Sequence, residues 1–475
     1  MIRLLTNSKV AGPWCFFFLT VASTVAGQVV GDRVAVTGSF ATKIHKETVG
    51  QVFEGEIHSI SSINGKWCAL EDVAGWLPLQ NVMNLEQAKA HFDKRIKANQ
   101  RDFAALAHRA MIFYENDEFD KAFRDLNESL RINPKNAVAW SNRGRVLNAQ
   151  QKYALALKDL GYAVKLNPKF PHAHYNLGRV FYSLGDCQKA IAAYDEAIKL
   201  DAKNSRYFVN RGSAKLSCQD LAGARADYDQ ALALNKRNAD AYVGLSNLSL
   251  AESKLDAAFE QADRAVGLEP QNSMALNARG WVLYKRGQVD EAIFDFSRAI
   301  QYAPKLSLAY NNRAVCFASK KEYDKAIADY DELLKLQTQS PIGLANRGVA
   351  FMGKGDFERA KTDLEEAVKL APEMTDGLNS MAWFLSTCPD EKFRDGKSAV
   401  LKAEQACQLS DNKDWSYLLT LSAAKAEVGE FATAIETAVK ALELAPESEK
   451  SDIEEKVKLF KSEQPFRSQI SAPRQ

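Results

Sequence analysis

Asparagine recurs at Asn142, Asn176, Asn210, Asn312 and Asn346, at separations that are multiples of 34 residues. A side-chain amide donates and accepts at once, so a row of amides can pair with an extended peptide backbone whatever its side chains. The same stretches add Arg145, Asn148, Tyr175, Arg179, Tyr182 and Arg206. Their guanidiniums and phenols suit carboxylates, guanidinium most of all. Residues 137–238 carry 16 basic and 8 acidic residues, whereas residues 239–272 carry 2 and 6. A positive early surface attracts an acidic peptide or a terminal carboxylate. A second reading stays open, in which the asparagines bond locally and the charges are solvated.

Other chemistry finds little support. The sequence has no HExxH, GxSxG, GxGxxG or P-loop pattern. His172 and His174 stand two apart on a helical stretch and point to different faces, a poor metal pair. None of the cysteines form CxxC, so zinc-ribbon and thiol-redox readings fail. Neither a metal nor a cofactor is expected. Lys plus Arg total 62 against 60 Asp plus Glu, a net charge of +2, which argues against a protein that coats nucleic acid. The many carboxylates sit on repeating helix surfaces, where solvation is the expected explanation.

The spacing of 34 runs through most of the chain. A small residue recurs at Ala110, Gly144, Gly178, Gly212, Ser246, Gly280, Ala314 and Gly348. Twelve residues after each comes alanine, from Ala122 to Ala360, and four residues later an apolar residue, usually aromatic or Leu. Prolines at 134, 168, 270, 304, 372 and 446 close units. Each unit reads as two amphipathic helices: the small residues let them touch, the aromatics fill what remains, and proline stops the second helix. One such hairpin cannot bury both faces, so neighbours stack into a solenoid.

This pattern resembles the tetratricopeptide repeat (TPR). The resemblance implies a mainly α fold, a right-handed superhelix of ten helix hairpins over residues 103–448, the ninth enlarged. It also implies a concave face lined by the first helix of each hairpin, where the asparagines and arginines above would stand. The TPR clamp for chaperone tails is not matched. Asn176 and Arg206 fit two of its positions, but Ser141, Arg145 and Asn210 replace the expected lysine, asparagine and basic residue. In the ninth unit, "TCPDEKFRDGKSAV" delays the expected alanine to Ala399, resembling a closing variant of bacterial TPR proteins. Cys388 and Cys407 are separated by about 16 Å of helix, too far to bridge. The cysteines of the array are expected to be small apolar fillers. Residues 449–464, with Ile453, Val457 and Phe460 on one face, read as a capping helix, and residues 465–475 as a flexible tail.

Ahead of the repeats, Arg3 and Lys9 precede the uncharged apolar run Trp14–Ala26 and the small residues Val25-Ala26-Gly27. That is the layout of a signal peptide over residues 1–27, implying an exported protein (periplasmic, cell-envelope or secreted) with no membrane span after cleavage. Residues 28–85 show short alternating strands and an Asn64-Gly65 hairpin turn. The stretch "NGKWCALEDVAGWLPLQNV" resembles the second half of bacterial SH3-like domains and implies a small SH3-like β-barrel. Trp67 and Trp76 are either a peptide-stacking surface or core. A connecting helix is expected over 86–102.

The sequence thus points to a non-enzymatic protein–protein interaction scaffold that binds an extended or helical peptide in a groove. The alternatives are a cell-envelope adaptor whose SH3-like domain binds cell-wall peptide, and an enzyme whose site has no recognised motif.

Overall fold

The computed structural model describes residues 33–36, 40–44, 47–52, 57–64, 67–70, 73–78 and 82–468, with side chains from residue 83 onward. The expected signal segment 1–27 and residues 469–475 lie outside the described residues, as do the side chains of Trp67 and Trp76. The chain forms two compact units, through Asn238 and from Ala239.

The first unit opens with β1 (Arg33–Val36), β2 (Phe40–Ile44), β3 (Glu47–Val52), β4 (Ile57–Asn64), β5 (Trp67–Leu70), β6 (Val73–Pro78) and β7 (Val82–Asn84). They pair antiparallel in the order β3-β2-β6-β5-β4-β1-β7. The register sets Trp76 opposite Ala69 and Trp67 opposite Pro78. Asn84 then caps α1 (Leu85–Ala98) by accepting from the Gln87 amide.

Four helix pairs complete this unit. They are α2 (Phe103–Glu115) with α3 (Phe119–Ile132), α4 (Ala137–Ala149) with α5 (Tyr153–Leu166), α6 (Pro171–Ser183) with α7 (Cys187–Leu200), and α8 (Ser205–Ser217) with α9 (Leu221–Leu234). Ala122, Ala156, Ala190 and Ala224 are wholly buried between paired helices. A Cβ at Gly144 would lie 2.6 Å from Leu160, and one at Gly178 would lie 2.5 Å from the Tyr194 ring. The small residue and the large one therefore occupy a single packing position. Each pair turns through a left-handed residue: Asp117, Gln151, Gly185 and Gln219 all have φ between 58° and 78°. The next amide then reaches back five residues, as Lys152 does to the Leu147 carbonyl at 2.8 Å.

The second unit holds six pairs and a last helix: α10 (Ala239–Ala251) with α11 (Leu255–Leu268), α12 (Ser273–Lys285) with α13 (Val289–Tyr302), α14 (Ser307–Ser319) with α15 (Tyr323–Leu336), α16 (Pro341–Lys354) with α17 (Phe357–Leu370), α18 (Thr375–Thr387) with α19 (Gly396–Leu409), α20 (Trp415–Glu427) with α21 (Phe431–Leu444), and α22 (Glu447–Lys461). The glycine contact recurs, Gly280 against Phe296 and Gly348 against Leu364. The extra residues of the enlarged pair form a short 3-10 turn, Glu391–Phe393. It inserts Phe393 between Phe357 and Phe384, with ring centroids 5.8 and 5.9 Å away. Ile453, Val457 and Phe460 of α22 are buried, covering the apolar face of α20 and α21.

Two expectations are corrected. Residues 465–468 are not loose: Ser468 donates its amide to the Thr387 carbonyl at 2.8 Å, and Arg467 pairs with Glu427 at 2.6 Å. Nor are all cysteines fillers. Cys187, which opens α7, and Cys218, which caps α8, form a disulfide with Cα atoms 5.9 Å apart. Other pairs are tied at this corner by polar contacts 30 residues apart, among them Gln150–Asp120 and Lys320–Asp290. Sulfur replaces charge here because both cysteines fall at that corner. Cys316, Cys388 and Cys407 are free and buried.

Candidate functional site

In the first unit the first helix of each pair presents the residues singled out by the sequence. Asn176 of α6 is buried, 7% exposed, and donates to Ser141 Oγ of α4 at 3.0 Å. Asn210 of α8 donates to the Tyr175 hydroxyl of α6 at 3.3 Å and to its own helix's Arg206 carbonyl at 3.0 Å. Asn142 of α4 is half-buried. In the second unit Asn312 of α14, also 7% exposed, donates to Asn277 of α12 at 3.0 Å, and Asn346 of α16 to Asn311 of α14 at 3.0 Å. The expectation that these amides stand open on a concave face is thereby corrected for Asn176 and Asn312, which are buried. The recurring contact spans 35 residues, one more than the repeat, so each asparagine ties its helix to the preceding pair. Burial makes an unpaired amide costly, and that is reason enough for the recurrence.

A second ladder escaped the sequence reading. Arg143 holds Asp159 through two bonds, Nε at 2.6 Å and Nη2 at 2.9 Å, and reaches Asn127 with Nη1 at 2.7 Å. Arg109 does the same with Asp125 and Asp93, and Arg211 with Asp227 and Asp195. In the second unit Arg279, Arg313 and Arg347 hold Asp295, Asp329 and Asp363. Asp159, Asp227, Asp295, Asp329 and Asp363 are buried; they are not the solvated carboxylates expected. The signal was present as an Arg-to-Asp spacing of 16 repeated every 34, but it could be seen only after the register was known. The third, fifth, ninth and tenth pairs carry Leu177, Leu245, Met381 and Leu421 at the arginine position.

With the ladders satisfied, a different group stands out in the first unit. Arg145 of α4 lies over the Tyr114 ring of α2, its guanidinium carbon 4.1 Å from the centroid, and contacts Glu115 at 3.1 Å. Its Nε is buried with no hydrogen-bond partner, and so is Asn148 Oδ1 one turn further on. Arg179 of α6 is half-buried and lies among Tyr175, Tyr114 and Tyr194. Among the described residues no carboxylate pairs with it. Burial pushes the Tyr114 phenol up, yet the nearby Arg145 and Arg179 outweigh it and hold that phenol below its ordinary value. Two guanidiniums thus neighbour one phenol, and Glu115 is the carboxylate that Arg145 contacts.

The other sequence-chosen residues fall less tightly. The Tyr175 ring lies tilted against Tyr207, centroids 5.1 Å apart. Tyr182 is exposed and accepts a long bond from Ser217 at 3.4 Å. Arg206 lies in the first turn of α8, about 10 Å along a helix axis from the level of Arg179. Asn312 and Asn346 belong to the second unit. Among the described residues no group of three or more His, Cys, Asp or Glu side chains is arranged to hold a metal ion, and no helix is long and apolar enough to cross a membrane.

Tetratricopeptide-repeat family models match residues 141–205, 209–273, 277–341 and 343–374. The chain carries tetratricopeptide repeats. No curated protein matches it. Among solved structures, a tetratricopeptide repeat protein from Parabacteroides merdae is 17% identical over 53% of this chain and 100% of its own, with a TM-score of 0.44. YrrB, described as a TPR protein with an unusual peptide-binding site, is 23% identical over 40% and 98%, with a TM-score of 0.30. The human IFIT1 dimer with m7Gppp-AAAA is 14% identical over 76% and 95%, with a TM-score of 0.49.

Proposed function

We propose that the protein is an exported, non-enzymatic interaction scaffold that takes an acidic peptide segment on the first-helix face of its first unit. The observation that carries this reading is the group at Arg145, Asn148 and Arg179. Arg179 has no carboxylate among the described residues, and Arg145 Nε and Asn148 Oδ1 are buried without partners. A buried polar atom left unpaired costs about 1–3 kcal/mol, a cost that an incoming carboxylate and its adjoining amide N–H would offset. Charge-assisted bonds to a carboxylate are also about twice as strong as neutral ones. Tyr175 and Tyr182 flank the group and offer apolar surface to neighbouring peptide residues. The buried asparagines serve instead to hold the helices at the spacing that makes this face.

The remaining parts fit export. The Cys187–Cys218 disulfide suits an oxidising compartment, and residues 1–27 have the layout of a signal peptide. The antiparallel strands between Arg33 and Asn84 support reading residues 28–85 as an SH3-like barrel.

The test is fluorescence anisotropy with a labelled extended peptide carrying three consecutive glutamates, beside its glutamine counterpart. The glutamate peptide should bind at least about tenfold more tightly at low salt, and the advantage should shrink as salt screens it. Arg145→Gln with Arg179→Gln should abolish the difference. Equal binding of the two peptides to the unaltered chain would overturn the reading.

A further inference from the structure

Residues 466–468 pack back onto the helices of the last pairs. After α22 the residues through Ser468 run back over the C-terminal ends of α20 and α18. Phe466 packs at a tilt against Trp383 of α18, centroids 5.6 Å apart, and lies under the Lys456 ammonium at 4.6 Å. It packs on the cluster of Ala423, Ala426, Ala434, Ala438, Val457 and Phe460. Arg467 pairs with Glu427 of α20 at 2.6 Å and donates to the Ser386 carbonyl at 3.4 Å. Ser468 donates its amide to the Thr387 carbonyl at 2.8 Å, and the two hydroxyls lie 2.7 Å apart.

These contacts have the grammar of peptide recognition. The carbonyls of Ser386 and Thr387 belong to the last turn of α18, where the helix leaves them without partners and where negative partial charge collects. That terminus and Glu427 together select a cation. Glu427 is braced from its other side by Arg394, Nε to Oε1 at 3.0 Å, and Arg394 also donates to the Cys388 and Pro389 carbonyls at 3.0 Å. One backbone bond fixes the peptide's direction and one aromatic socket fixes its register. Counted along their helices, Trp383 stands where Arg145 and Arg179 stand in the first unit, Ser386 where Tyr114 and Asn148 do, and Glu427 where Glu115 does.

We propose that the surface across the C-terminal ends of α18 and α20 is a second peptide site, for an extended segment with an aromatic residue followed by arginine, and that the chain's own residues 466–468 occupy it as an intramolecular competitor. The site prefers a cationic segment, opposite to the face at Arg145 and Arg179, and does not depend on that assignment.

A tethered segment acts at an effective concentration of about millimolar, so a free peptide binding at about 10 μM should appear about a hundredfold weaker while the tether is seated. The experiment uses the full chain, unaltered and with Phe466→Ser plus Arg467→Glu, and a labelled Gln-Pro-Phe-Arg-Ser-Gln-Ile peptide, the chain's own 464–470. Anisotropy should show the altered chain binding at least about tenfold more tightly than the unaltered one. A peptide with glutamate in place of arginine should not bind, and Arg145→Gln with Arg179→Gln should leave the result unchanged. Equal affinity for both chains, or no binding to either, would overturn the proposal. So would loss of the helical circular dichroism signal in the altered chain, which would make residues 466–468 a structural strap.

Discussion

The Arg279–Asp295 contact gives a sharp test of how the repeats are held. The Arg279 guanidinium makes two bonds to Asp295, at 2.7 and 2.8 Å, and a third to Asp263 at 2.7 Å. Side-chain exposure is 19% for Arg279, 2% for Asp295 and 55% for Asp263. The half-exposed third contact contributes little. Arg279→Leu alone strands a carboxylate that is almost wholly out of water, which should cost about 3–5 kcal/mol. The molecule supplies its own apolar replacement, since the third pair carries Leu177 and Ala193 at the two positions. Arg279→Leu with Asp295→Ala should therefore recover most of that loss, leaving a coupling of at least about 2 kcal/mol. Hydrogen exchange read over residues 273–302 is the suitable assay, because a repeat array need not unfold in two states. Protection there should fall about 10²- to 10⁴-fold in the single variant and return to within about tenfold of the unaltered chain in the double one. A single variant costing under about 1 kcal/mol, or a double variant no better than the single, would show the pair to be an ordinary solvated one.

Gln151 and Lys321 hold left-handed φ of 59° and 60°, so Gln151→Gly and Lys321→Gly should each raise stability by up to about 1 kcal/mol in thermal melts, whereas Gly185→Ala, at φ 78°, should lower it. Gly178→Ala presses a Cβ to 2.5 Å from the Tyr194 ring and should cost about 1–3 kcal/mol, with Gly178→Leu unfolding the pair; a melt unchanged by alanine would refute the packing. For Asp93 and Asp102, burial pushes the carboxyls up, but hydrogen bonds, from Arg109 and Lys89 to the one and from the Ala105 amide and Arg95 to the other, outweigh it and hold both below 3.8. Their contribution to α1–α2 packing should be complete above about pH 5 and fall away below about pH 4; exchange protection over 85–115 that rises on acidification would contradict this. Reduction of Cys187–Cys218 removes a cross-link closing 31 residues and should cost about 3–4 kcal/mol, seen as earlier exposure of 187–218 to exchange.

The helices could be read from the sequence because their determinants are local and repeated. A glycine such as Gly144, an alanine such as Ala156 and a leucine such as Leu160 keep fixed spacings, and steric contact gives those spacings a single meaning. The roles of polar residues were less visible. Asn176 looks the same in sequence whether it faces a groove or Ser141, and only the stacking of one pair on the next decides between them. Asp159 reads as a surface carboxylate until Arg143 is placed beside it. Arg145 and Arg179 were legible as basic residues, but Tyr114, which brings them together, lies two pairs before Arg179 and carries no charge. Phe466 is a lone aromatic in a polar stretch of sequence, and the partners of Phe466, Arg467 and Ser468 on α18 and α20 lie some 40 to 80 residues back.

The arginine ladder also makes the second unit mechanically uneven. Arg279, Arg313 and Arg347 stitch α12 through α17 together, each gripping a carboxylate of its own pair while reaching toward the preceding one. At α10, α18 and α20 the stitch is missing, because Leu245, Met381 and Leu421 occupy its place. Under tension such a chain does not lengthen in equal steps. The braced block α12–α17 should resist as a whole, and the pairs without their own arginine, α10–α11, α18–α19 and α20–α21, should yield first.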